Sequence, residues 1–261
     1  MEDKSAPLWW PGLAEIVAIY AESLSTTHVM TGGLECPRWE RVVRSSRRPE
    51  MWTTVEVLPS PLEQQFEVPG TRFLSAEDVS QARVMSALIA ALDEIAVVPQ
   101  LGEMVGHLVR RVHLLQPENP DYDINFSYPT LPFSVFVSVP AEPSQGVRWR
   151  LAEALVHEAG HLQLSLLERV VPLVTECSTT FYAPWRREQR PLRGVLHGLY
   201  VFGLIAEWMR SSGAPADAVR KRIAEIRDDA SQLCNFPEAK GLTADGVAVA
   251  HTILAHLICR S

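Results

Sequence analysis

The stretch Leu155-Val156-His157-Glu158-Ala159-Gly160-His161 constrains this chain more than any other. It sets two histidines four residues apart inside an apolar run that continues through Leu162, Leu164, Leu166 and Leu167. In an α-helix, residues four apart lie one turn above each other, so His157 and His161 present two imidazoles to one point in space. The flanks Leu151, Ala152, Ala154, Leu155, Leu162 and Leu166 favour helix, and no proline interrupts them before Pro172. A helix is therefore expected from about 147 to 169. Two imidazoles on one helix face make half of a metal site. The competing reading is of two histidines merely packed on an amphipathic helix.

With 261 residues the chain can bury a core as one large domain or two intimate ones. A net charge of −7 and a pI near 5.6 argue against a general nucleic-acid binder, which needs a basic surface to neutralise phosphates. Cys36, Cys177, Cys234 and Cys259 are widely spaced and form no CxxC, so neither a zinc knuckle nor a disulfide framework is signalled. Free thiols fit a reducing compartment. The opening Met1-Glu2-Asp3-Lys4-Ser5 lacks the cationic start and apolar core of a secretion signal. The apolar stretches around 195–206 and 247–258 are broken by His or Gly and are too short to span a bilayer. The expectation is a soluble, cytoplasmic protein with no membrane and no nucleic-acid partner.

Residues 12–24 place Leu13, Ile16, Val17 and Tyr20 on one stripe and predict an amphipathic helix. From about 30 to 74 prolines and Gly32-Gly33 punctuate the pattern, and only 52–58 alternates like a strand. Arg41, Arg44, Arg47 and Arg48 read as a solvated helix face, with contact to an acidic partner as the alternative. Ser75-Ala76-Glu77-Asp78 resembles a capping box, and a long helix is expected over 76–96. A second helix near 100–115 carries His107 and His113, six apart, which take core or surface roles rather than a shared metal. The turn-rich segment 116–123 is the best internal boundary. It divides a mainly helical region, 1–118, from a metal-binding catalytic region, 119–261. Residues 132–140 alternate apolar and β-branched and predict a strand. Its place just before the metal helix suits the sheet-edge strand of zincin-type metalloproteins, which pairs with extended peptides; an ordinary core strand is the competing reading.

The segment Phe181 to Gly198 is dense in Trp, Arg, Pro and Gly, a composition suited to building a site, and a further helix follows from about 191 to 210. A metal on two imidazoles needs a third protein ligand. His197, thirty-six positions after His161, allows a helix to return antiparallel beside the first; Glu207 is the competitor. Asp217–Leu233 and Thr243–Cys259 predict two more helices, with His251 and His256 as packing residues.

Taken together, Val156-His157-Glu158-Ala159-Gly160-His161, Tyr182-Ala183-Pro184-Trp185-Arg186, Arg190-Pro191 and Leu196-His197-Gly198 resemble the HExxH-motif domain proteins of bacterial peptide-natural-product (RiPP) clusters. That family is regarded as iron- and 2-oxoglutarate-dependent peptide β-hydroxylases. The similarity extends weakly to Asp123-Ile124-Asn125-Phe126-Ser127 and Leu131-Pro132-Phe133, and covers about 120–212. It implies Fe(II) on His157, His161 and His197, with 2-oxoglutarate as co-substrate and a ribosomal precursor peptide as substrate. Arg186 and Arg190, with Arg193 behind them, are the candidates for the distal carboxylate of 2-oxoglutarate, because a guanidinium matches a carboxylate bidentately. Ser127, Ser134, Tyr182 and Trp185 are the candidates for contacting the peptide.

Glu158 is not needed as a base in this scheme and would orient ligands, bind a water or contact substrate. The alternative is a zinc peptidase in which Glu158 takes a proton from metal-bound water; a third reading is an inactive peptide-binding module. Ligand type alone does not decide Fe(II) against Zn²⁺, and a homo-oligomer is compatible with the sequence. The expected fold is α+β and mainly helical. Its zincin-like metal-binding half contains a short sheet whose edge strand, about 132–140, precedes the HExxH helix.

Overall fold

The computed structural model describes residues 39–58, 63–66, 68–119, 123–128, 131, 133–139, 146–175 and 178–259. The helix expected over 12–24 lies outside the described residues. The chain is α+β with helices predominating and one mixed sheet. It divides into two compact units between Leu162 and Gln163, so the turn-rich connection at 116–123 falls inside the first.

The first unit is built on the sheet. Strands β1 (Glu40–Arg44) and β2 (Trp52–Glu56) form an antiparallel pair, and β2 runs parallel to the start of β4 (Arg111–Pro117). The far end of β4 pairs with β3 (Thr71–Phe73). On its other side β4 runs parallel to β6 (Ser134–Ser138), and β6 pairs antiparallel with β5 (Asn125–Ser127). Between β3 and β4 lie helices α1 (Ala76–Ser80), α2 (Ala82–Ile95) and α3 (Pro99–Leu108). These supply the long crossover that a parallel pair requires. Helix α2 buries Val84, Met85, Leu88, Ala91, Leu92 and Ile95, which share one face at helical spacing.

Four expectations are corrected here. β6 is interior, flanked by β4 and β5, and the edge strand is β5. All five residues of β6 are buried, which is the signature of a strand covered on both faces. The helix expected over 76–96 breaks at Gln81, whose extended backbone (ψ 130°) separates α1 from α2. His113 sits on β4 and not on a helix, with its ring stacked on Phe136. The arginines at 41–48 do not share a helix face, because Arg41 and Arg44 lie on β1 and Arg47 and Arg48 follow it. That turn is tied to α2 by Asp93 Oδ1, which accepts from Ser45 Oγ at 2.7 Å and from the Ser46 amide at 2.6 Å.

Helix α4 (Val147–Leu167) carries the HExxH sequence and continues across the division between the units. Leu151, Ala152, Leu155, Val156, Ala159, Leu162 and Leu164 are all buried. Apolar residues on so many sides make α4 an interior helix and not a surface one.

The second unit surrounds α5 (Leu192–Ser211), which is buried at fourteen of its positions. It also holds the hairpin β7 (Thr180–Ala183) and β8 (Glu188–Pro191), helices α6 (Ala216–Ser231) and α7 (Ala244–Cys259), and a 3₁₀ turn at Phe236–Glu238. A Cβ on Gly198 would lie 2.1 Å from Trp185 Cζ2, so only glycine lets the hairpin's indole lie against α5. No described helix is long and apolar enough to cross a membrane.

Candidate metal centre

One turn of α4 brings the two motif histidines together. Their Nε2 atoms are 3.1 Å apart, with the rings nearly perpendicular at 71°. Two nitrogens bound at the usual distance of about 2.0–2.1 Å stand about 3.3 Å apart around a tetrahedral ion and about 2.9 Å apart at a right angle. The observed spacing lies between these values, so the pair fits a shared metal ion. Both side chains are half-buried, which suits a site open on one side.

Glu158 follows His157 by one residue and so projects about 100° further round the helix. That turn directs it at the edge of the sheet. Alternation along β5 puts Phe126 on one face, stacked on Phe136 at 4.6 Å, and Asn125 and Ser127 on the other. Asn125 Nδ2 donates to Glu158 Oε1 at 2.7 Å and Ser127 Oγ donates to Oε2 at 2.8 Å. Glu158 is 2% exposed. Burial pushes its carboxyl up to about 6, against the two hydrogen bonds, which pull it down.

His197 is buried on α5, and its Nε2 lies 3.0 Å from Glu168 Oε2. Arg193 Nε donates to the same oxygen at 2.6 Å. Arg193 and His197 are four residues apart and share a helix face, so both reach one carboxylate. Burial raises the Glu168 carboxyl, and the hydrogen bonds from His197 and Arg193 outweigh it, leaving the group below its ordinary value. Glu207, the competing third ligand, accepts from Arg210 and lies 2.8 Å from His256 Nε2 on α7. Among the described residues no three His, Cys, Asp or Glu side chains are gathered in a group that could hold a metal ion. The geometry thus assembles His157 with His161 and places His197 with Glu168.

The other candidates are distributed unevenly. Arg186 is exposed in the β7–β8 turn, and Arg190 is exposed on β8, 3.1 Å from Glu188. Tyr182 is exposed on β7, whereas Trp185 is half-buried with its ring 5.2 Å from that of Phe202 on α5. Ser134 is buried at the start of β6 and Ser127 is engaged by Glu158. Sequence reasoning missed the clamp on Glu158 and the contacts of Glu168 with Arg193 and His197. The first joins residues 33 and 31 positions apart, and no local pattern carries it. The second left a trace in the spacing of Arg193 and His197.

His107 is exposed, His256 is buried against Glu207, and His251 is exposed on α7. No protein-family model matches the chain, and no curated protein is significantly similar to it.

Proposed function

We propose that the chain is a metal-dependent oxygenase that hydroxylates the β-carbon of a residue in a ribosomally made peptide, using Fe(II), 2-oxoglutarate and O₂. His157 and His161 would hold the metal, and His197 is the proposed third ligand. When bound, the metal with 2-oxoglutarate and O₂ would supply an oxidant strong enough to hydroxylate an unactivated carbon, with succinate and CO₂ as the other products. Arg186 and Arg190 are the cations for the distal carboxylate of 2-oxoglutarate. Arg193 takes a lesser part because Glu168 already engages it.

The observation that carries this reading over hydrolysis is the state of Glu158. A zincin peptidase needs that carboxylate facing a metal-bound water. Here both of its oxygens accept hydrogen bonds from β5 and the group is buried. It serves as an acceptor that fixes the helix and not as a base. One observation favours the peptidase as a second reading: a carboxyl pushed up to about 6 is the kind of group that accepts a proton near neutral pH.

Succinate formation separates the two. Protein reconstituted anaerobically with Fe(II) and 2-oxoglutarate, then exposed to O₂, is expected to release succinate, and His157→Ala, His161→Ala and His197→Ala to release none. The reading is withdrawn if no succinate forms while the zinc-loaded protein cleaves a peptide library and Glu158→Gln abolishes that cleavage.

A further inference from the structure

We infer that β1 is a self-association edge: two copies of this chain pair through it antiparallel about a two-fold axis at Val42, with Glu40 of each copy opposite Arg44 of the other. The inference is independent of the chemistry at the HExxH helix.

Strand β1 is the outermost strand at the end of the sheet opposite β5, and among the described residues it pairs only with β2. Its ladder to β2 runs through alternate residues. The Val57 amide donates to the Trp39 carbonyl at 3.0 Å and the Ser45 amide to the Met51 carbonyl at 2.9 Å, so the odd-numbered residues bond to β2. The amides and carbonyls of Glu40, Val42 and Arg44 therefore point off the sheet, as a template for another strand. Val43 and Val55 turn into the core, which places the side chains of Glu40, Val42 and Arg44 together on the other face. Val42 is 50% exposed there, with Glu40 and Arg44 exposed on either side of it.

Charge on an edge strand commonly blocks pairing. On β1 the order of the charges selects a partner instead. When two copies run antiparallel with Val42 opposite Val42, all three outward-pointing residues form hydrogen-bonded pairs and each Glu40 meets an Arg44. A slip of two residues sets a charge against Val42, and a slip of four sets Glu40 against Glu40 or Arg44 against Arg44. The surroundings of both charges favour the match. Glu40 stands opposite Glu56 on β2, and Arg111 Nη1 is 2.7 Å from Glu56 but 4.0 Å from Glu40, so a further cation beside Glu40 relieves a like-charge pair. Arg44 lies over Trp52 at 5.8 Å and donates to the Pro49 carbonyl at 3.3 Å, and a guanidinium has five N–H donors to share. Five residues make a small edge against a standard interface of about 1,600 Å², so the dimer is expected to be weak and reversible.

The test is sedimentation velocity of the full-length protein over about 1 µM to 1 mM, the range of weak association. Reductant keeps the exposed Cys234 and Cys259 from cross-linking. The wild type is expected to pass from monomer to dimer. Glu40→Arg and Arg44→Glu, each felt twice by symmetry, are each expected to weaken the dimer about tenfold or more, and the double variant, which restores opposite charges in the same register, to recover it. Val42→Pro removes an amide that points off the sheet, so it should leave the monomer folded and abolish the dimer. A wild type that stays monomeric throughout overturns the inference, as does a dimer indifferent to these substitutions. A double variant no tighter than the single ones overturns the pairing of Glu40 with Arg44. Should Val42→Pro fail to fold, the charge reversals at exposed positions decide.

Discussion

Replacing Glu158 with Gln should make the metal-free protein more stable above neutral pH, although the substitution touches the centre of the motif. In the folded chain the Glu158 carboxyl titrates at about 6, against an ordinary value of 4.5. Between these two pH values the folded state keeps a proton that the unfolded state has lost, so stability falls as pH rises through the window. Above the window the full penalty is present, about 2 kcal/mol at 1.36 kcal/mol per pH unit. Below pH 4.5 it vanishes. Glutamine carries no charge at any of these pH values, and it preserves both contacts. Its Oε1 accepts from Asn125 Nδ2, and its amide donates to Ser127 Oγ, whose lone pairs accept. The assay is urea unfolding of both proteins in chelator from pH 4.5 to 8, read as the difference between them so that all other titrating groups cancel. The variant should gain about 2 kcal/mol on the wild type across the range. A flat difference, or a variant less stable at pH 8 than at pH 5 relative to the wild type, would refute the argument that burial dominates this carboxyl.

Other consequences are more local. Gly198→Ala places a Cβ 2.1 Å from Trp185 Cζ2 and must displace the indole, at a cost of about 1–3 kcal/mol, visible in denaturation curves together with a shift in tryptophan emission. His113 is buried against Phe136, and burial lowers its affinity for a proton. The unfolded chain therefore gains a proton as pH falls through 6.5 that the folded chain resists, and stability should drop there in the wild type but not in His113→Phe. Arg186→Ala should raise the 2-oxoglutarate concentration needed for half-maximal succinate release by about tenfold or more, the scale of one charge-assisted hydrogen bond.

The parts of this fold legible in sequence are those whose signals are local. Helix α4 announces itself by helical spacing and the absence of proline, and its two histidines meet because one turn separates them. The capping box at Ser75 and Asp78 forms as written, with the Asp78 amide donating to Ser75 Oγ at 3.2 Å and the Ser75 amide donating to Asp78 Oδ2 at 3.1 Å. The break at Gln81 is hidden because Val79, Ala82 and Met85 stay in helical phase across it. The β7–β8 hairpin is hidden for another reason. Its turn runs through Pro184-Trp185-Arg186-Arg187 and places Arg187 at φ 56°, a left-handed conformation usually signalled by Gly or Asn. Strand β5 is three residues long, too short for alternation to register, yet it is the edge that meets the motif. Recognising it requires the three-dimensional contact of Asn125 and Ser127 with Glu158.

That contact gives the middle residue of the motif a role independent of proton transfer. A helix packed only by apolar contacts is free to rotate slightly about its axis, and a rotation of about 20° moves atoms some 6 Å from the axis by about 2 Å. Metal sites tolerate displacements of about 0.5 Å. Leucine and alanine side chains alone restrain α4 weakly against such a turn, since they pack almost equally well after small shifts. Two hydrogen bonds from β5 to a single buried carboxylate do not, because a rotation of that size would break both and leave a charged group unsatisfied. Glu158 lies about 100° around the helix from His157, so the clamp grips α4 away from the face that offers the imidazoles. Fixing Glu158 against the sheet thus fixes the direction in which His157 and His161 point, and the penalty carried by its buried charge is the counterpart of that restraint.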